Sequence, residues 1–147
     1  MSANEKMSRH EQRVAAFQMI FESMFHNADY YKDKFDELCD ERGFSPYPYI
    51  REAYFGALES ANESKALIGE YAKGWSFDRL SFTAKALLEL SVYELLHTDT
   101  PPKVVINEAV EISKEFASGD EPSFVNGILN SIARDKGLIT ADNSGER

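Results

Sequence analysis

Side chains that commonly carry catalysis are few and scattered in this chain of 147 residues. The three histidines, His10, His26 and His97, are far apart in sequence, so a metal site would require three separate segments to converge. The only cysteine, Cys39, lacks an adjacent base, and its acidic neighbours disfavour the thiolate that a nucleophile needs. The sequence also has no glycine-rich phosphate loop, GxSxG turn or HExxH pair. We therefore predict a protein that is not an enzyme and that binds no metal or cofactor.

Carboxylates are abundant, but they form no evident acid–base pair. Glu108 and Glu111 are three residues apart in a predicted helix, and nothing in the nearby sequence would raise the pKa of one above that of the other. Both are interpreted as part of a solvated helix face. This distribution supports the prediction that the chain has no catalytic residue.

The overall charge indicates which partners the chain can attract. The 25 acidic and 16 basic side chains give a net charge of −9. This balance argues against a broadly basic protein that binds nucleic acid through many phosphates, and it favours docking onto a basic partner. The second interpretation is that the charge serves solubility alone. Arg9 and Arg13, four residues apart, are predicted to share one helix face, where they would neutralise phosphates or form ordinary solvated surface.

The sequence contains no segment that is typical of a membrane-spanning helix or a signal peptide. No apolar run approaches the roughly 20 residues needed to span a bilayer. The polar N-terminus lacks the apolar core of a signal peptide. We expect a cytoplasmic protein with a single domain over residues 1–147 and a frayed tail from about residue 140.

Helical spacing of apolar residues dominates the chain, and no segment of useful length alternates with the period of a strand. We predict about seven helices, which carry their apolar residues within positions 14–25, 30–41, 50–61, 62–73, 84–95, 105–116 and 124–132. The fifth is apolar on several sides, which is typical of a central helix. Ser8 with Glu11, Ser81 and Asp120 are predicted N-terminal caps. Trp75 is predicted to anchor the core just before the fifth helix.

Five blocks of mixed polar and apolar residues carry a family resemblance. They are GWSFDRL at Gly74–Leu80, YEL at Tyr93–Leu95, PKVVINEAV at Pro102–Val110, KEF at Lys114–Phe116 and FVNGIL at Phe124–Leu129. In their order and spacing these blocks resemble the NusB family of bacterial transcription antitermination factors. The segment Gln12–Gln18 is a looser match to the arginine-containing first helix of that family.

Physical reasons can be given for the polar positions and the glycine within these blocks. Gly127, inside a helix, costs about 1 kcal/mol relative to alanine, so we expect it to allow close helix packing. Asn107 and Glu108, near a helix N-terminus, are expected to bond a neighbouring segment or to complement the helix dipole. The alternative interpretation is that these residues form a polar clamp with Asn126 between two helices.

The resemblance implies an all-α fold of about seven helices in two small bundles that pack together. It also implies binding to the boxA element of ribosomal RNA leaders, partnership with the ribosomal protein NusE, and assembly with the transcription elongation complex, without catalysis. The family includes monomers and homodimers. A homodimer is therefore an alternative that would cover the same surface.

The resemblance further implies which residues contact each partner. RNA contacts in the family come from the first helix and the start of the seventh, which correspond here to Arg9, His10, Arg13, Asp120, Ser123 and Phe124. We expect these to form one small cationic patch with an aromatic edge, unless Phe124 packs in the core and Asp120 only caps its helix. Contacts to NusE are expected at Phe21, Phe25, Lys85 and Glu89.

Two features depart from the family pattern. The first helix has few cations, because Glu5 and Glu11 dilute its positive charge. In the fifth helix, Glu89 stands where the family usually has arginine, and Ala84 stands where an acidic residue is common. We therefore expect weak intrinsic RNA affinity, and RNA binding that depends on positive charge brought by the partner.

Two alternative functions stay open at this point. The thin basic cluster would also suit a divergent helical interaction protein that kept the fold and lost RNA binding. In addition, NusB-like domains occur at the N-terminus of ribosomal RNA cytosine methyltransferases. Because no nucleotide-binding glycine motif follows the match here, we favour a free-standing factor.

Overall fold

The computed structural model describes residues 6–26, 33–72, 79–117 and 119–140, and these contain seven α-helices and no strand. The helices are α1 Arg9–Ser23, α2 Phe35–Glu41, α3 Pro48–Glu59, α4 Ala61–Tyr71, α5 Phe82–His97, α6 Pro102–Phe116 and α7 Glu121–Asp135. The predicted all-α class is confirmed. The predictions for Trp75, for the start of the second helix at residues 30–32 and for the tail at residues 141–147 lie outside the described residues.

Local hydrogen bonds at the helix starts explain why α1 and α5 begin where they do. Ser8 Oγ accepts from the amide of Glu11 at 3.0 Å, and Glu11 Oε1 accepts from the amide of Ser8 at 2.7 Å. This reciprocal pair is the predicted capping box. Ser81 Oγ accepts from the amide of Ala84 at 3.0 Å and caps α5 as predicted. Asp120 occupies the N-cap position of α7, but its side chain makes no capping hydrogen bond, so that prediction is wrong.

The helix α5 is central because it carries apolar residues on all sides. Leu87, Leu88, Leu90 and Val92 point in different directions around the helix, and all four are buried. The helix accordingly contacts α1, α3, α4, α6 and α7. Around it, α1 packs on α3, and α6 packs on α7. The predicted N-terminal and C-terminal groups of helices therefore meet across α5.

Two glycines in helices have opposite surroundings. A Cβ atom at Gly56 on α3 would lie 2.2 Å from the ring of Tyr93 on α5, so a larger residue here requires that ring to move from its observed position. A Cβ atom at Gly127 on α7 would meet nothing within 4 Å. The prediction that Gly127 allows close packing is wrong, because α7 buries Val125, Ile128 and Leu129 and turns Gly127 outward.

The remaining sequence predictions about reactivity and membranes can be compared directly with the fold. Cys39 is fully buried, and burial, reinforced by the charge of Asp36, raises the pKa of its thiol to about 11. It packs in the core with Phe35 and Leu38. None of the described helices combines the length and apolar content that crossing a membrane requires. Within the same residues, no three His, Cys, Asp or Glu side chains are grouped as a metal site.

Candidate functional site

The start of α1 is fixed to two other helices by Arg13. Its Nε and Nη2 atoms donate to Oε1 and Oε2 of Glu94 on α5, at 2.9 and 3.0 Å. Its Nη1 atom donates to Oε1 of Glu108 on α6 at 3.1 Å. A two-point pair of this kind is the strongest arrangement that arginine makes with a carboxylate. One guanidinium therefore joins α1, α5 and α6.

The expectation that Arg13 presents a free cation to phosphates is contradicted. The side chain is only 4 % exposed, and three of its nitrogen atoms already donate to carboxylates. Its neighbours Gln12 and Ala16 are buried as well, because this side of α1 faces the protein interior. Arg9 and Arg13 thus have different environments, although both belong to the same predicted face.

Burial and the charge of Glu94 act in opposite directions on the pKa of Arg13 and in the same direction on the pKa of Tyr49. Burial alone would lower the pKa of Arg13, but the hydrogen bond and negative charge of Glu94 outweigh it and raise that pKa above its usual range. Tyr49, at the start of α3, donates its hydroxyl to Glu94 Oε2 at 3.0 Å. Burial and the charge of Glu94 raise the pKa of Tyr49 above its usual range, so its hydroxyl keeps the proton that it donates.

Glu108 has a structural role that its spacing did not predict. Besides accepting from Arg13, its Oε1 atom lies 2.8 Å from Nδ1 of His10, and its side chain is 24 % exposed. The interpretation of Glu108 as a solvated side chain is therefore wrong, whereas the expectation that it bonds a neighbouring segment is confirmed. Glu111, one turn later, is exposed and, among the described residues, pairs with the nearby Lys114 at 3.3 Å.

Arg9 is an exposed cation at the start of α1. Its guanidinium carbon lies 4.4 Å from the ring centroid of Tyr49, within the range of a cation–π contact. Among the residues that the structure describes, no carboxylate pairs with it. Lys6 is also exposed, and His10 contacts Glu108 at the surface. Of the predicted phosphate ligands in the first helix, Arg9 alone combines exposure with unshared donor groups in the described structure.

The predicted residues at the start of α7 have a different neighbourhood. Asp120 and Ser123 are exposed, and Phe124 is half-buried against the core. Phe124 also borders an open groove of about 720 Å³ between α4 and α7, together with Tyr71 and Gly127. Tyr71 donates its hydroxyl to Asp135 across this groove at 2.7 Å. Core packing and partial exposure of Phe124 therefore occur together.

The two predicted RNA groups have different neighbouring helices. The residues at the start of α1 face Tyr49 on α3 and Glu108 on α6, whereas Phe124 faces α4. The connection to α7 begins after Phe116, which lies about 12 Å along α6 from Glu108 at the usual helical rise. The expectation that both groups form one compact patch therefore stays a prediction.

Exposed aromatic rings cluster where α1 ends and α5 begins. Phe25 is 56 % exposed and Phe82 is 46 % exposed, with ring centroids 4.9 Å apart. Phe21 lies 5.4 Å from Phe25, and Lys85 Nζ lies 4.8 Å from the Phe82 ring. We call Phe21, Phe25 and Phe82 the aromatic patch. Sequence reasoning found its two α1-side members but missed Phe82, whose only signal was its apolar character at a helix start beside the Ser81 cap.

Glu89 does not belong to this surface, contrary to the prediction. The side chain is only 4 % exposed in the interior of the fold. Burial raises the pKa of its carboxyl group to about 7, although the charges of Lys65 and Lys85 act to lower it. Glu89 is therefore an internal ionisable group about two helical turns from the exposed start of α5.

Comparison with known proteins gives consistent results for sequence and structure. Residues 10–134 match the sequence profile of the NusB family. Transcription antitermination protein NusB of Staphylococcus aureus is 35 % identical over 129 residues, which cover 87 % of this chain and 100 % of the relative. NusB from T. maritima superimposes with a TM-score of 0.76 at 30 % identity, covering 91 % of this chain and 98 % of its own. A chain in the crystal structure of a plectonemic RNA supercoil gives a TM-score of 0.75 at 27 % identity, with 91 % and 99 % coverage.

Proposed function

Because this chain belongs to the NusB family, whose curated relatives are transcription antitermination proteins rather than enzymes, we propose that it binds boxA-type RNA of ribosomal RNA leaders together with the ribosomal protein NusE. The proposed complex joins the transcription elongation complex in the cytoplasm. Arg9 is the observation that carries the RNA part of the proposal, because it is an exposed cation whose donor groups are not shared with a carboxylate in the described structure. The similar fold in the RNA supercoil structure supports RNA as the ligand class.

The small number of available cations supports a binding mode that depends on a partner. Arg13 is committed to Glu94 and Glu108, and His10 already contacts Glu108, which leaves Lys6 and Arg9 near the start of α1. Binding of a single strand through two phosphates has a salt slope of only about −1.4. The net charge of −9 also repels RNA at long range. A basic partner supplies the attraction that this chain lacks.

The aromatic patch is the surface that we assign to NusE. Exposed rings in contact with one another are typical of the anchors that dominate protein interfaces. Lys85 beside Phe82 adds a charge that a carboxylate on the partner would pair with. The patch also lies close to the start of α7, because Ser81 Oγ donates to Glu121 Oε1 at 2.9 Å. A partner on the patch would therefore lie next to Asp120, Ser123 and Phe124 as well.

One RNA strand of several nucleotides is proposed to contact both groups of candidate residues. Single strands commonly bind along extended tracks of cations and aromatic rings. Arg9 and His10 would contact one part of the strand, and Ser123 and Phe124 the other. Phe124 would stack on a splayed base through the exposed part of its ring.

Titration of boxA RNA tests this proposal. The chain alone and the chain with equimolar NusE are titrated at the same salt concentration, and a scrambled RNA of equal length serves as the control. We expect weak binding by the chain alone and clearly tighter, sequence-dependent binding with NusE. If NusE never tightens the binding, the proposal fails, and the divergent interaction protein without RNA binding becomes the better reading.

A further inference from the structure

We infer that Tyr49, which no part of the sequence argument selected, is a positioning residue of the RNA site, because its ring holds the guanidinium of Arg9 in place for a phosphate. This inference rests on the proposed function. It adds a residue from α3 to a contact surface that otherwise consists of the starts of α1 and α7. The ligand class is the phosphate backbone of a single-stranded RNA.

The first step of the argument is how Arg9 is held. Exposed arginine side chains are usually mobile, and those that are held are commonly held by carboxylates. A carboxylate would fix Arg9 but would also cancel its charge. The Tyr49 ring, with its centroid 4.4 Å from the guanidinium carbon, restrains Arg9 without neutralising it. The N–H groups at the edge of the planar guanidinium then stay available for phosphate oxygens.

The second step is how Tyr49 itself is held. Its hydroxyl donates to Oε2 of Glu94, and both oxygens of that carboxylate also accept from Arg13. The guanidinium carbon of Arg13 lies 5.3 Å from the same ring centroid. Tyr49 is therefore fixed at its hydroxyl end and beside its ring. The buried Arg13–Glu94 pair supports the ring, and the ring in turn supports Arg9.

The third step is why Glu94 does not capture Arg9 directly. Glu94 is almost fully buried, and its two oxygens together accept three hydrogen bonds from Arg13 and Tyr49. Arg13 offsets the negative charge of this carboxylate. The internal pair thus leaves Arg9 as a net positive charge at the surface. Because Arg9 is restrained before RNA binds, less side-chain conformational entropy is lost on binding.

A double-mutant cycle tests whether Tyr49 acts through Arg9. RNA affinity is measured for the complex of NusE with the wild-type chain, Arg9→Ala, Tyr49→Leu and the double variant. We expect Tyr49→Leu to weaken RNA binding about two- to fivefold, the usual size of an exposed cation–π contact. In the Arg9→Ala background the same substitution should have no further effect. Phe55→Leu, which removes another half-buried ring from α3, is the matched control and should leave the affinity unchanged.

The outcomes separate this inference from the proposed function. If the wild-type complex does not bind RNA, the proposed function fails and the inference falls with it. If the wild-type complex binds RNA and Arg9→Ala weakens it but Tyr49→Leu does not, only the inference is overturned. Equal effects of Tyr49→Leu in both backgrounds also overturn it, because Tyr49 would then act independently of Arg9.

A second measurement needs no variant and so does not depend on folding of Tyr49→Leu. The order parameter of the Nε–H bond of Arg9 is measured by NMR in the free wild-type chain and compared with that of exposed Arg79. We expect the Arg9 bond to be clearly more ordered than the Arg79 bond. Equal mobility of the two side chains would contradict the inference.

Discussion

The guanidinium of Arg13 and the carboxylate of Glu94 meet side by side, with Nε–Oε1 and Nη2–Oε2 distances of 2.9 and 3.0 Å, and both side chains are buried. These two residues are 81 positions apart in sequence. Their contact removes one of the two first-helix arginines from the surface and gives the other its surroundings. Arg13 is therefore expected to affect the stability of the fold, and Arg9 is expected to affect RNA binding.

Loss of the Glu94 charge should strongly destabilise the fold. Glu94→Gln leaves the buried Arg13 cation with only Glu108 as an ionic partner, and breaking a buried pair in this way costs about 3–5 kcal/mol. Urea unfolding measures the change in free energy. Asp36→Asn is the matched control, because it breaks an exposed pair with Arg51 and should cost less than about 1 kcal/mol. Similar losses in the two variants would contradict a structural role for the buried pair.

Arg9 should contribute to RNA binding without contributing much to stability. Arg9→Ala removes one phosphate contact, so the slope of the logarithm of affinity against the logarithm of salt concentration should become shallower by about 0.7. The measurement uses the complex with NusE over a range of salt concentrations. Lys136→Ala, at the exposed end of α7, removes the same charge elsewhere and should leave the slope unchanged. Identical slopes for Arg9→Ala and the wild type would exclude a phosphate contact at this residue.

The aromatic patch should determine the affinity for NusE. Phe25→Ala removes the most exposed ring of the patch, and we expect NusE binding to weaken about tenfold, as for a typical interface anchor. Calorimetric titration measures the affinity. Leu138→Ala, an exposed apolar residue outside the patch, is the control and should bind NusE normally. If the chain sediments as a dimer that Phe25→Ala dissociates, the patch also holds a homodimer.

Stability should depend on pH through Glu89. Its folded-state pKa of about 7 lies above the unfolded value near 4.5, so the folded state keeps a proton that the unfolded state has lost between these values. The contribution of Glu89 to stability therefore becomes less favourable as pH rises from about 4.5 to about 7, and it is constant above that. Relative to the wild type, Glu89→Gln should gain up to about 3 kcal/mol over this interval. Unfolding of both proteins at several pH values measures the difference, and a difference that does not change with pH would contradict this role of Glu89.

Opposite effects are expected when alanine replaces the two contrasted helical glycines. Gly56→Ala forces the Tyr93 ring away from α3 and should cost about 1–3 kcal/mol. Gly127→Ala adds a methyl group in open space within a helix and should stabilise the protein by up to about 1 kcal/mol. Thermal unfolding distinguishes the two. A stabilising effect at Gly56 would mean that the Tyr93 ring moves aside at little cost.

Local signals in the sequence predicted the helices well. The Ser8–Glu11 and Ser81 caps depend on residues no more than three positions away, and the apolar circumference of α5 is visible in its own sequence. The same reasoning wrongly predicted a side-chain cap for α7. Asp120 has the right residue type and position, but its side chain does not make the hydrogen bond.

Environments set by distant segments could not be predicted in the same way. Arg9 and Arg13 are four residues apart, so helical spacing alone assigns them to one face. Only Glu94, from a helix 81 positions later, shows that Arg13 points inward. The contrast between Gly56 and Gly127 has the same origin, since Tyr93 on α5 decides the first case and nothing approaches the second. Family resemblance identified the fold and the partners to test, but not these side-chain environments.

The three-helix junction at Arg13 also determines when the surface around Arg9 can form during synthesis. Arg9 is synthesised before Glu94 and Glu108, yet its support requires Glu94, and the junction is complete only with Glu108. A nascent chain that ends before α5 has no acceptor for the Tyr49 hydroxyl and no partner for the Arg13 charge. α1 is therefore made before the helices that give it its final neighbours, so the surface around Arg9 forms only after α5 and α6 have been synthesised.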